Sequence, residues 1–100
     1  MTERQKQSLF IKLLPRLIDM AHDLGYELTG GDLHSKESYL VHKVDSQHYR
    51  RLAIDLNLFK DGVFLKNTED HRLLGDYWES LNPLCRWGGR YGDGNHYEII

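Results

Sequence analysis

Leu9, Phe10, Leu13, Leu14, Leu17, Ile18, Ala21 and Leu24 recur at steps of three and four, which lines one face of a helix with apolar side chains and predicts a helix over residues 2–24. Thr2 is suited to cap its start and Gly25 to stop it. Pro15 removes a backbone donor and crowds the preceding turn, so the segment is expected to kink there rather than split into two shorter helices, the alternative. Residues 26–28 then read as a short strand entering a Gly30-Gly31 turn, and the polar stretch 34–47 as a loop with a short helix around 36–42.

A second apolar run, Leu52-Ala53-Ile54-Asp55-Leu56-Asn57-Leu58-Phe59, is followed by Lys60-Asp61-Gly62 and Val63-Phe64-Leu65. This is the pattern of a β-hairpin whose Asp-Gly step supplies positive φ, and it puts Asp55 inside the first strand. Asn67 or Thr68 caps a helix through Leu73, Leu74, Tyr77, Trp78 and Leu81, which Asn82-Pro83 ends. Residues 85–95 are punctuated by glycine and read as a loop before a terminal strand, His96-Tyr97-Glu98-Ile99-Ile100. The order helix, strand, hairpin, helix, strand predicts an α+β fold: a small antiparallel sheet with flanking helices in a single domain, residues 1–24 forming an N-terminal helical segment and 25–100 the main body.

Composition narrows the function classes. One hundred residues support one modest core, and 40% apolar with 28% charged residues lies far from the signature of disorder. Thirteen basic against fifteen acidic residues leave a net charge of -2, too little field to hold a polyanion, so nucleic acid is not an expected partner. The single cysteine, Cys85, excludes an intramolecular disulfide and a Cys-rich zinc site, so any metal must rest on histidines and carboxylates. No apolar run nears the roughly 18 residues that span a bilayer, and MTERQKQSLF lacks the apolar stretch of a signal peptide, so no membrane insertion and a cytoplasmic location are expected.

Two spacings carry candidate chemistry. His48 lies on the loop before the strand that holds Asp55, and Asp93 stands three residues ahead of His96 at the start of the last strand. A hydrolytic zinc site needs three protein ligands, a position open to water and a nearby carboxylate to take that water's proton. His48, Asp55 and His96 supply such ligands and Asp93 such a base. The bland alternative makes Asp93 a turn-former, His48 a solvated loop residue and His96 a packing residue. Asp55 weighs against it, because an aspartate between Ile54 and Leu56 is costly if buried without a partner. His22, His42 and His71 are expected at the surface, Leu74, Tyr77 and Trp78 in the core, and Cys85 as a small buried residue. Trp87, a loop aromatic, is expected either to bind substrate at a cleft or to plug the core.

Ser46-Gln47-His48-Tyr49-Arg50-Arg51-Leu52-Ala53-Ile54-Asp55 resembles the Ser-x-His-x-x-Gly-x-Ala-x-Asp motif of the D-alanyl-D-alanine carboxypeptidase and dipeptidase (VanY-like) zinc peptidases, and Asp93-Gly94-Asn95-His96 is similar to their second motif. The stretches Leu74-Gly75-Asp76-Tyr77-Trp78-Glu79 and Trp87-Gly88-Gly89 look like the tail of the phage endolysins in that family that act as L-alanyl-D-glutamate endopeptidases. The likeness runs from Gly25 to the C terminus. It implies Zn²⁺ on His48, Asp55 and His96, Asp93 as general base, and hydrolysis of peptidoglycan stem peptides by a monomer held in the host cytoplasm until holin-type release, with no room for a wall-binding domain. A D,D-carboxypeptidase and an inactive zinc-binding phage structural protein are the rival readings. Two positions depart from the family: its glycine is Arg51 here, and Thr29-Gly30-Gly31-Asp32-Leu33-His34-Ser35 lacks the arginine that stabilises the oxyanion. His34, or Arg50 or Arg51 from the other side, is left as the expected donor.

Overall fold

The computed structural model describes residues 1–31 and 52–100, and the helix expected around 36–42 lies outside the described residues. Helix α1, Glu3–Asp23, starts at a reciprocal cap: the Gln5 backbone N–H donates to the Thr2 hydroxyl at 3.1 Å, and the Thr2 N–H donates to the Gln5 side chain at 2.8 Å. It is not split at Pro15, which lies on the exposed side while Phe10, Leu13, Leu17 and Ala21 hold both halves to the core. Gly25, at φ +89°, ends it. Tyr26 N–H bonds back to Ala21 O and Gly25 N–H to His22 O, each at 3.0 Å, so the last carbonyls are satisfied as the chain turns away.

Strands β1 (Glu27–Gly31), β2 (Ala53–Lys60) and β3 (Val63–Leu65) follow, with Asp61 at φ 52° and Gly62 at φ 79° forming the tight turn that the Asp-Gly step predicts. The Gly30-Gly31 pair, expected as a turn, belongs to β1, where Gly31 lies across from Asp55. A Cβ on Gly31 would stand 3.1 Å from the Asp55 Cβ, so bare backbone suits this crowded register position. The predicted second helix begins as a 3₁₀ turn, Thr68–His71, before α2, Arg72–Leu81. Residues expected as loop form β4, Cys85–Trp87, a 3₁₀ turn, Gly88–Tyr91, and then β5, His96–Ile99.

All strand pairings among the described residues are antiparallel, in the order β1-β2-β5-β4, with β3 on β2 as well. Because Asp55 pairs with both β1 and β5, and Leu58 with both β1 and β3, strands β5 and β3 share the edge of β2 that faces away from β1. They meet end to end near Leu56 and Asn57.

Alternation along the strands separates two faces. Ile54, Leu56 and Leu58 of β2, Tyr97 and Ile99 of β5, and Cys85 and Trp87 of β4 turn toward α1 and α2, where Leu17, Leu74 and Trp78 complete the core. Trp78 sits edge-on to Phe10 and Tyr97 and donates its indole N–H to the Glu98 carbonyl at 3.0 Å. Trp78 and Leu74 are core residues as expected, and burial pushes the Cys85 thiol up to about 12, in keeping with a packing role. None of the described helices is long and apolar enough to cross a membrane. The opposite face of the sheet carries Asp55, Asn57, His96, Glu98 and Arg86, and the chemistry lies there.

Candidate metal centre

Strand register brings the two motifs together. Asp55 and His96 are direct partners across β2 and β5, and the His96 Nδ1 stands 3.2 Å from Asp55 Oδ1. Asp93 completes the group: one donor atom from each of Asp55, Asp93 and His96 lies within 4.8 Å of the others. His34, His48 and Arg50, expected as oxyanion donor, metal ligand and alternative donor, lie outside the described residues, as do His42 and Arg51.

The loop that carries Asp93 is pinned from several sides. Asp93 N–H donates to Gly88 O at 2.9 Å and His96 N–H to Asp93 O at 3.2 Å, so residues 93–96 form a closed turn. Leu56 N–H donates to Asn95 O at 2.8 Å, tying the turn to β2 where β5 and β3 meet. A side chain at Gly88 would not fit, since its Cβ would stand 2.3 Å from Asp93 O and 2.7 Å from the His96 Cβ. From the far side, Arg90 binds Glu79 at 2.7 Å and Asp76 at 2.8 Å, which holds the 3₁₀ turn against α2.

Of the two readings of Trp87, burial supports the core plug and not the substrate contact. Its side chain is fully buried, so it offers no surface to substrate; the indole N–H instead donates to Gly94 O at 2.7 Å and supports the Asp93 loop from beneath. The choice follows from β4, which points this residue to the core face, a consequence of pairing with Tyr97 that loop composition does not reveal.

Electrostatics follow from the same row of side chains. Burial disfavours the His96 imidazolium, but hydrogen bonds to Asp55 and Glu98 outweigh it and raise the pKa to about 9. Burial alone would push Glu98 up; its contacts with His96 and Arg86 win and hold it below the usual carboxylate range. Glu98 and Arg86 were missed as site residues, although alternation along β5 puts Glu98 on the face of His96.

The donor set is of a kind that can hold a metal ion. Two donors, each about 2.1 Å from a tetrahedral ion, stand roughly 3.4 Å apart, close to the Asp55–His96 separation. Carboxylate and imidazole are ligands zinc accepts, and a carboxylate on the other ring nitrogen is the usual outer partner of a metal-binding histidine. Asp93, exposed on its loop, also walls a cleft of about 190 Å³ lined by Asn57, Phe64, Lys66, His71 and Asn95 among others.

His71 corrects an expectation: it is buried rather than at the surface, with Nδ1 2.8 Å from the Tyr97 hydroxyl. Burial lowers its pKa from 6.5 to about 4, with Asp70 opposing weakly. Above pH 6.5 the ring is neutral in both folded and unfolded chains and contributes nothing. As pH falls from 6.5 toward 4 the unfolded chain takes up a proton that the folded chain refuses, so stability declines by an amount approaching 3 kcal/mol. The raised His96 titrates above this window, so its contribution is already complete there. Urea unfolding at pH 7 and pH 4.5 is expected to show this loss in the wild type and a smaller one in His71→Gln; equal losses would contradict the assignment.

Comparison with protein-family models and with curated proteins finds no match to this chain.

Proposed function

We propose that this protein is a zinc metallopeptidase of the endolysin type that hydrolyses peptidoglycan stem peptides at the L-alanyl-D-glutamate bond. The observation that carries the reading is the convergence of Asp55, Asp93 and His96, residues from two separate motifs, on the polar face of the sheet. His48 enters as the third ligand from the resemblance of its motif, beside Asp55 and His96. His34 or Arg50 enters as the oxyanion donor. The enzyme acts as a monomer and reaches the wall by release from the host cytoplasm.

The roles follow from the positions. Zinc, when bound, supplies a Lewis acid that polarises the scissile carbonyl and brings the pKa of water toward about 7. Asp93, exposed and lining the cleft, takes the proton of the attacking water and returns it to the leaving amine. The cleft beside it gives the peptide a polar bed, with Asn57 and Asn95 joined to each other at 3.3 Å along one wall.

Digestion of purified sacculi tests the proposal. We expect new D-glutamate amino termini, detected by mass spectrometry of the muropeptides, and their loss in the presence of a chelator. Release of terminal D-alanine would instead mark a D,D-carboxypeptidase, and bound zinc without any product would mark a binding protein.

A further inference from the structure

Resting on the reading of this protein as a peptidase that cuts beside D-glutamate, we propose that His71 and Lys66 form the subsite that holds the free α-carboxylate of that residue. His71 closes the 3₁₀ turn Thr68–His71, and Lys66 follows β3 just before it. That turn lies directly against the loop of Asp93, since a Cβ on Gly94 would come within 2.5 Å of the Thr68 Cα. Lys66, His71 and Asp93 therefore line one cleft.

His71 presents a single donor to that cleft. It is only 3% exposed and burial keeps its ring neutral, so it carries one N–H and one lone pair. Tyr97 is fully buried, and among the described residues its hydroxyl has His71 Nδ1 as its one hydrogen-bond partner, at 2.8 Å. The phenol proton is matched only if it goes to Nδ1, which puts the imidazole proton on Nε2. Nε2 has no hydrogen-bond partner among the described residues, yet no buried side-chain nitrogen there is left unmatched. Its N–H therefore opens on the cleft that the ring lines.

The leaving residue has the chemistry to use these groups. In a stem peptide D-glutamate continues the chain through its γ-carboxyl, which leaves the α-carboxylate on the carbon that also bears the scissile nitrogen. Asp93 returns a proton to that nitrogen, so the leaving residue sits in the cleft that Asp93 lines. The charged side chains of the lining are Lys66 and Asp93. Lys66, exposed and in no ion pair with a described residue, offers positive charge to the carboxylate, and the His71 N–H offers a hydrogen bond fixed in direction by Tyr97. A neutral amide in that place would lose the attraction to Lys66.

Two synthetic tripeptides test the subsite: L-alanyl-γ-D-glutamyl-L-lysine with the D-glutamate α-carboxyl either free or amidated, followed by alanine release from the zinc-loaded protein. The wild type should cut the free acid with a kcat/KM about 10- to 100-fold above that of the amide, and Lys66→Met should bring this ratio to within about threefold of one. His71→Asn, whose amide oxygen can stand at Nδ1 and keep Tyr97 paired, should lower kcat/KM for the free acid by about tenfold, and His71→Gln, whose amide N–H₂ reaches toward Nε2, should lose less. Equal rates on the two peptides in the wild type, an unchanged ratio in Lys66→Met, or full activity in His71→Asn would overturn the subsite while leaving the peptidase standing. A wild type that cuts neither peptide would take down the peptidase reading as well. Independently of turnover, ¹H–¹⁵N spectra of histidine-labelled protein without metal should place the His71 proton on Nε2, and a proton on Nδ1 would contradict the assignment.

Discussion

Replacing Asp93 by asparagine is expected to lower hydrolysis of sacculi by roughly a hundred- to ten-thousandfold while leaving metal content and fold in place. The side chain is exposed and sits on a turn secured by backbone bonds, from its own N–H to Gly88 and from the His96 N–H to its carbonyl. Asparagine preserves the size and those bonds but cannot accept a proton at neutral pH. Amino-group release from sacculi, measured beside zinc content and a thermal melt, separates the outcomes. A variant that turns over at the wild-type rate would show that another group is the base.

The second large effect is expected in His96→Ala. A ligand bound only by the folded state stabilises it by about 4 kcal/mol at a thousand times its Kd. For a domain near 100 residues this corresponds to a rise of roughly 15–30 °C in Tm. The wild type should show such a rise on adding zinc, and His96→Ala should not. Loss of the imidazole also leaves Asp55 and Glu98 without their shared partner, so the variant should melt below the metal-free wild type as well. A zinc-dependent rise that survives in His96→Ala would remove this residue from the ligand set.

Much of this arrangement can be read from the residues themselves. The spacing of Phe10, Leu13, Leu17 and Ala21 specifies α1 and its buried face, and the Asp61-Gly62 step specifies the hairpin. Asp55 stands out as the acidic residue of a largely apolar strand. That it meets His96, however, depends on pairing between β2 and β5, segments distant in sequence, and local pattern carries no register.

The misses share that origin. Cys85 to Trp87 resembles loop because its strand character comes from β5, and with it goes the orientation of Trp87. Its indole lies flat on the backbone at Gly75, where a Cβ would come within 2.0 Å of the ring, a close approach that only the folded pair of elements reveals. His71 was placed on the exposed side of a helix, yet the chain there is a 3₁₀ turn, whose different residues-per-turn shifts the angular position of each side chain and delivers His71 to Tyr97. Glu98 was legible by alternation from His96, since residues i and i+2 of a strand share a face, but nothing short of the β4–β5 register pairs it with Arg86.

Elemental analysis of the purified protein after zinc reconstitution and dialysis tests the central claim most directly. About one tightly held equivalent of zinc per chain in the wild type, absent from His96→Ala, is the predicted result. A wild type that emerges with no bound zinc, or a His96→Ala variant that retains it, would contradict a metal centre built on Asp55, Asp93 and His96.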